Sequence, residues 1–233
     1  MLPITMTETE YRRNLELITT QVEFAIDSFY TEREINIIAS EQPAIFRKLN
    51  RDAAFWNLLL RSLQSEFLMT LGRIFDVNND ALSIHKVLSA TVTHAEYFSK
   101  TALRARKVAE SHGIPDWLDD FINSAWEPTA SDLRALKKAA APYNARFEGV
   151  YRPIRNNVFG HNIVTDSGKV SELFEKAAIK EIDEILYFLR DLTQVLFGLF
   201  FNGTKPELGQ TNDGYKQRVR ETVQTVLLDL AHI

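Results

Sequence analysis

The chain has 233 residues, of which 45% are hydrophobic, enough to bury a substantial core in one large domain or in a domain with a helical appendage. It contains no cysteine, which excludes disulfides, thiolate zinc sites and a thiol nucleophile. Its net charge of −4 repels polyanions on average, so a nucleic-acid partner would have to be held by a local basic patch.

Apolar residues recur at three- and four-residue spacing almost throughout, no stretch alternates with period two, and only nine glycines and seven prolines interrupt the pattern. The expected class is all-α, with long helices and short connections arranged as a helical bundle. A first long helix is predicted from Thr7, with Glu10 completing a capping box and Tyr11, Leu15, Ile18, Val22, Ile26 and Phe29 on one stripe. A second is predicted from Asp52 to Phe75, burying Trp56, Leu59, Leu60, Leu63, Phe67, Leu71 and Ile74 before the break at Val77–Asp80. Shorter helices are expected over Ser83–Leu88, over Thr93–Ser111 with a Thr93/Glu96 capping box, and over Asp116–Trp126 after Gly113 and Pro115.

A helix from Ser131 to Phe159 contains Pro142 and Pro153 and is expected to kink or break. Gly160 suits its C-terminal cap. The most regular stripe follows, with Ile179, Ile182, Ile185, Leu186, Leu189, Leu192, Leu196 and Leu199, as expected of a central helix. After the polar stretch Asn202–Asp213, a last helix carries Tyr215, Val219, Val223, Val226, Leu227 and Leu230. The organisation expected is a helical domain over residues 1–204 and a C-terminal linker and helix over 205–233 packing on the same domain. Met1–Glu10 lacks the basic start and apolar run of an export signal, and the apolar stretch Leu192–Thr204 is too short to span a bilayer. The expected location is cytoplasmic, without a membrane segment.

The glycines never cluster into a phosphate-cradling loop, and neither a GxSxG elbow nor an HExxH pair is present. Asp76, Asn78 and Asp80 mimic the start of a calcium loop. Ala81 stands where that loop needs glycine and Val87 where it needs a bidentate glutamate, so helix capping by Asp80 or Ser83 explains these residues better. His85, His94, His112 and His232 are scattered and read as ordinary surface or core residues.

One segment stands apart. Between Arg134 and Asn156 the cations Arg134, Lys137, Lys138, Arg146, Arg152 and Arg155 are opposed only by Glu148. The blandest reading is a solvated helix face. The segment ends, however, in Tyr151-Arg152-Pro153-Ile154-Arg155-Asn156-Asn157-Val158-Phe159-Gly160-His161-Asn162, an arginine followed six positions later by a histidine at a helix end. This resembles the R-x4–6-H motif of the HEPN superfamily. The basic lead-in, the small residue before the histidine and the upstream Leu71-Gly72-Arg73-Ile74-Phe75-Asp76 with Ala81-Leu82-Ser83-Ile84 are similar to its abortive-infection (Abi) U-type branch.

The resemblance implies a HEPN-type helical bundle with a long N-terminal helix and a C-terminal helical extension. It also implies a homodimer with a composite site and an endoribonuclease that needs neither cofactor nor metal, acting as a toxin or phage-defence effector on RNA. Arg155 and His161 would be catalytic, Asn156 would orient Arg155 or a phosphate oxygen, and Arg146 and Arg152 would hold the flanking RNA backbone. An antitoxin or nucleotidyltransferase partner belongs to the same expectation. Ile163 stands where some HEPN toxins carry the tyrosine such a transferase modifies, which argues against control by that route.

Elementary chemistry agrees in part. Six residues of α-helix advance about 9 Å and end roughly 120° off the starting face, so Arg155 and His161 of one chain converge poorly unless the helix ends between them. A two-fold dimer would bring two arginines and two histidines into one cleft. Imidazole can serve as base toward the ribose 2′-hydroxyl or as acid toward the leaving oxygen, and a guanidinium can neutralise the charge growing on phosphorus. Two alternatives fit the same residues: an inactive HEPN module that binds RNA, a nucleotide or a partner protein, and a structural role in which His161 caps its helix and Arg155 pairs with a carboxylate.

Overall fold

The computed structural model describes residues 6–78, 81–111, 113–156, 179–210 and 214–231, and among them it contains no strand. The class is all-α. Its helices are α1 (Glu8–Glu41), α2 (Pro43–Arg51), α3 (Ala53–Ile74), α4 (Ile84–Thr93), α5 (Lys100–Ser111), α6 (Leu118–Ser124), α7 (Ala130–Ala139), α8 (Ala141–Arg146), α9 (Arg152–Ile154), α10 (Ile179–Asn202) and α11 (Gly214–Ala231). No helix of the described residues is long and apolar enough to cross a membrane.

Local chemistry explains the boundaries. The Thr7 hydroxyl accepts the Glu10 N–H while the Glu10 carboxylate accepts the Thr7 N–H, the expected capping box at the start of α1. The continuous stripe Tyr11–Phe29 is buried. Pro43 ends what α1 could continue and opens α2, a helix that periodicity alone did not indicate. Ser83 caps α4 through the Lys86 N–H. Thr93 does not start a helix: it is the last residue of α4, and a 3₁₀ turn (Ala95–Phe98) follows. The cap of α5 is Ser99, whose hydroxyl accepts the Ala102 N–H. Asp116 and Trp117 form a turn before α6 rather than its first residues.

The described residues fall into two compact units. The first draws on residues 6–20, 73–149 and 179–210. There α10 supplies the buried stripe Ile182, Ile185, Leu186, Leu189, Leu192, Leu196 and Leu199, whereas Ile179 at its start is exposed. Phe200 and Phe201 are buried too, so the apolar run at the end of α10 is mainly core. Tyr11 packs its ring on Phe98 and Phe200 and shares a hydrogen bond with Thr91 at 2.8 Å. Gly203 ends α10 with φ +59, and a Cβ there would come within 2.6 Å of the Ala125 Cβ. Only glycine meets both demands.

Arg106 of α5 ties several parts of this unit together. Its guanidinium pairs with Glu8, donates to the carbonyls of Tyr97 and Phe200 at 2.8 and 2.7 Å, and lies 4.1 Å from the centre of the Phe200 ring. Further along, Thr129 and Asp132 cap α7 reciprocally. The hydrogen bonds from the Thr129 backbone and side chain hold the Asp132 carboxyl below its ordinary titration range. A carboxyl depressed in this way contributes stability above its unfolded pKa and loses it as pH falls through its folded one. Thr129→Ala is therefore expected to move Asp132 back toward the ordinary aspartate value, which a carbon-detected NMR pH titration would read.

The second unit draws on residues 21–72, 150–156 and 214–231. Its core joins Phe29 to Phe67 and Tyr30 to Tyr215, with ring centres 5.1 and 5.6 Å apart. α11 buries Tyr215, Val219, Val223 and Leu227, while Val226 and Leu230 remain partly exposed. Arg220 of this helix reaches the buried Glu34 at 3.4 Å and Glu41 at 3.1 Å on α1. Arg220→Ala should cost about 1–2 kcal/mol, because the buried Glu34 loses the cation beside it while the arginine itself is partly solvated. Urea denaturation would measure the loss.

The expected face of α3 holds only in its second half. Phe67, Leu71 and Ile74 are buried, but Trp56, Leu59, Leu60 and Leu63 are half-buried, and Phe55 and Leu58 are 60% and 66% exposed. At this end the cavity beside Trp56 is lined by α2 and α11 residues including Ile45, Leu49 and Leu227, which cover one side of the helix only.

Candidate functional site

The two prolines break the basic lead-in, as expected. Ala140 interrupts the run between α7 and α8, and Pro142 sits in the first turn of α8. Over Phe147–Tyr151 the backbone then widens into a π turn, followed by the single α turn Arg152–Ile154. Pro153 has no N–H for the Gly149 carbonyl, and its ring crowds that group, so a wider turn immediately upstream relieves the conflict. Arg155 and Asn156 continue in π geometry.

Upstream of the widened turn, the lead-in is fixed within the first unit. Tyr143 stacks flat on Phe188 with ring centres 3.9 Å apart, and Phe147 stacks on Phe75 at 5.1 Å. His85 and Asn144 share a hydrogen bond of 2.9 Å. Arg146 forms an ion pair with Glu184 of α10 at 2.6 Å. Its charge is thereby opposed, and the local excess of cations read from the sequence is smaller in space than along the chain. Lys137 donates to the Ser89 hydroxyl at 3.1 Å.

In the second unit, Tyr151 and Ile154 are buried and anchor the turn from which Arg155 projects. The Arg155 Nη1 donates to Asn156 Oδ1 at 2.8 Å. Asn156 thus holds one nitrogen of the guanidinium. The Nε of Arg155 is buried without a hydrogen-bond acceptor among the described residues. It faces Gly72 of α3, where a Cβ would stand 2.8 Å from Nε and 3.3 Å from Cδ and Cζ. Among the described residues no carboxylate pairs with Arg155, so the purely structural ion pair is not found there. Arg152 is half-buried on the same turn. His161 lies outside the described residues, as do Asn157–Gly160.

Gly72 is the residue of this neighbourhood whose part sequence reading did not recognise. The available signal was a glycine inside an otherwise strong helical pattern, a position that requires a packing reason. No group of three or more acidic or histidine side chains that could hold a metal ion occurs among the described residues.

An all-α chain that opens on a long N-terminal helix is consistent with a bundle of the HEPN type. The match to known families makes this specific. The family model for AbiU2 of the HEPN superfamily matches residues 8–220, and the chain belongs to that family. No curated protein matches the chain, and no solved structure matches it.

Proposed function

We propose that this chain is an endoribonuclease of the HEPN type, acting as a toxin or phage-defence effector, with a composite site built by two copies. The observation that carries the reading is the state of Arg155. It is half-buried, held at one nitrogen by Asn156, and opposed by no carboxylate among the described residues. A partly desolvated guanidinium without a counter-charge favours an anion, and its planar fork suits the oxygens of a phosphate.

The substrate is RNA because the chemistry uses the ribose 2′-hydroxyl. One histidine removes that proton as the oxygen attacks phosphorus, and a second delivers a proton to the departing 5′-oxygen. His161 of each copy is the group assigned to these roles, carried over from the family motif. Arg155 stabilises the extra negative charge of the pentavalent phosphorus, and Asn156 keeps the guanidinium from rotating away. Arg152 binds the flanking backbone. Arg146, opposed by Glu184, would contribute more weakly.

The test uses the full chain. Wild type and His161→Ala are incubated with end-labelled total RNA in excess EDTA, and the fragment ends are mapped. Fragments ending in 2′,3′-cyclic phosphate from wild type, lost in the variant, support the proposal. Binding of RNA by both with no cleavage by either would reassign the chain as an inactive RNA-binding HEPN module. Light scattering bears on the composite site, since a strict monomer at high concentration contradicts it.

A further inference from the structure

We infer that Gly72 is a positioning residue for Arg155: the missing side chain on α3 is the space in which the arginine's Nε end is seated. The inference rests on the functional reading of Arg155 given above and adds a residue to that site. Gly72 is buried inside α3 between the buried Leu71 and the well-formed last turn, where alanine would favour the helix more. A glycine there needs a reason beyond helix formation, and the geometry supplies it. Nε would lie 2.8 Å from a Cβ at this position, closer than real Cβ atoms approach their neighbours, with Cδ and Cζ at 3.3 Å.

The consequence is directional. With Nη1 held by Asn156 and Nε lodged against α3, the guanidinium is confined from two sides, and the remaining Nη2 edge is left for a ligand. A side chain at position 72 forces the Nε end of the arginine to shift from this seat without touching substrate. The expected result is a kcat defect with little change in KM, because the group displaced is one that acts on transition-state charge.

The experiment compares wild type, Gly72→Ala, Arg155→Ala and the double variant, with two readouts. The first is RNA cleavage. Gly72→Ala should lower kcat at least tenfold with KM within about twofold and a melting temperature no lower than wild type, and the double variant should be no slower than Arg155→Ala alone. The second needs no activity: the ¹H–¹⁵N signal of the Arg155 Nε–H, assigned by its loss in Arg155→Lys, should exchange with water at least tenfold faster in Gly72→Ala.

The outcomes separate the two claims. Arg155→Ala cleaving at the wild-type rate removes the reading of the site and the inference with it. An inactive Arg155→Ala beside a fully active Gly72→Ala overturns the positioning inference alone, as does an unchanged Nε–H signal or a Gly72→Ala defect that persists in full in the Arg155→Ala background. Should Gly72→Ala fail to fold, the double variant decides: recovery of folding supports the contact, and equal failure refutes it.

Discussion

Replacing Arg155 by alanine is expected to slow RNA cleavage by about a hundredfold to a thousandfold, the range found when one preorganised donor to a developing oxyanion is removed. This corresponds to roughly 2.7–4 kcal/mol of transition-state stabilisation. The loss should fall on kcat, because RNA binding is shared with other cations on the lead-in, including Arg152. Arg155→Lys tests geometry separately from charge. It keeps one positive charge but cannot reproduce the bond from Nη1 to Asn156 or the fixed plane that aims Nη2, so it should recover only part of the rate. Single-turnover kinetics with saturating enzyme would read both variants. A rate within twofold of wild type for Arg155→Ala would remove the guanidinium from the mechanism.

The largest effect on stability is expected at Arg106 of α5. Arg106→Ala would strand the carbonyls of Tyr97 and Phe200, remove the partner of Glu8 and strip the cation from the Phe200 ring. The side chain is only 10% exposed, so water can replace few of these interactions. Breaking a buried, hydrogen-bonded charge typically costs about 3–5 kcal/mol, and a value near 3 is expected here because Glu8 is partly solvated. Arg106→Lys should fall between the two, retaining the charge but satisfying fewer of the three acceptors. Urea denaturation followed by circular dichroism would measure both, and a midpoint for Arg106→Ala indistinguishable from wild type would refute this role.

The elements that were legible in the sequence are those whose own side chains decide them. The stripe of α10 and the Thr7–Glu10 box of α1 require no knowledge of neighbours, because a one-sided apolar face and a reciprocal cap are local properties. Where two local solutions competed, the pattern misled. Thr93 and Glu96 have capping-box spacing, but Thr93 already belongs to the end of α4, and Ser99 caps the next helix. α2 escaped notice because it is only nine residues long and follows α1 after a single residue, Gln42. The first turns of α3 have the composition of a core helix, yet burial depends on what stands opposite, and Phe55 and Leu58 face outward.

The candidate site divides in the same way. The contact of Arg155 with its chain neighbour Asn156 is a local one. That Glu184 would oppose Arg146, or that Gly72 would face Arg155, could not be read from the sequence, since each pair joins helices that lie far apart in the chain. Counting cations along a segment measures charge per length. The field at a phosphate depends on which of those cations remain unopposed once the helices have packed.

The widened turn at Phe147–Tyr151 has a consequence for the arithmetic of the chain itself. A π turn holds one residue more than the α-helical turn it replaces, so it acts as a phase slip of about 100° in the count of helical faces along the sequence. Counting helical faces from the residues upstream therefore does not assign a face to Arg155. Deleting a single residue from this turn would lengthen the regular helix while pointing Arg155 elsewhere, so the residue count upstream of the motif is as much a determinant of its aim as the identity of the arginine.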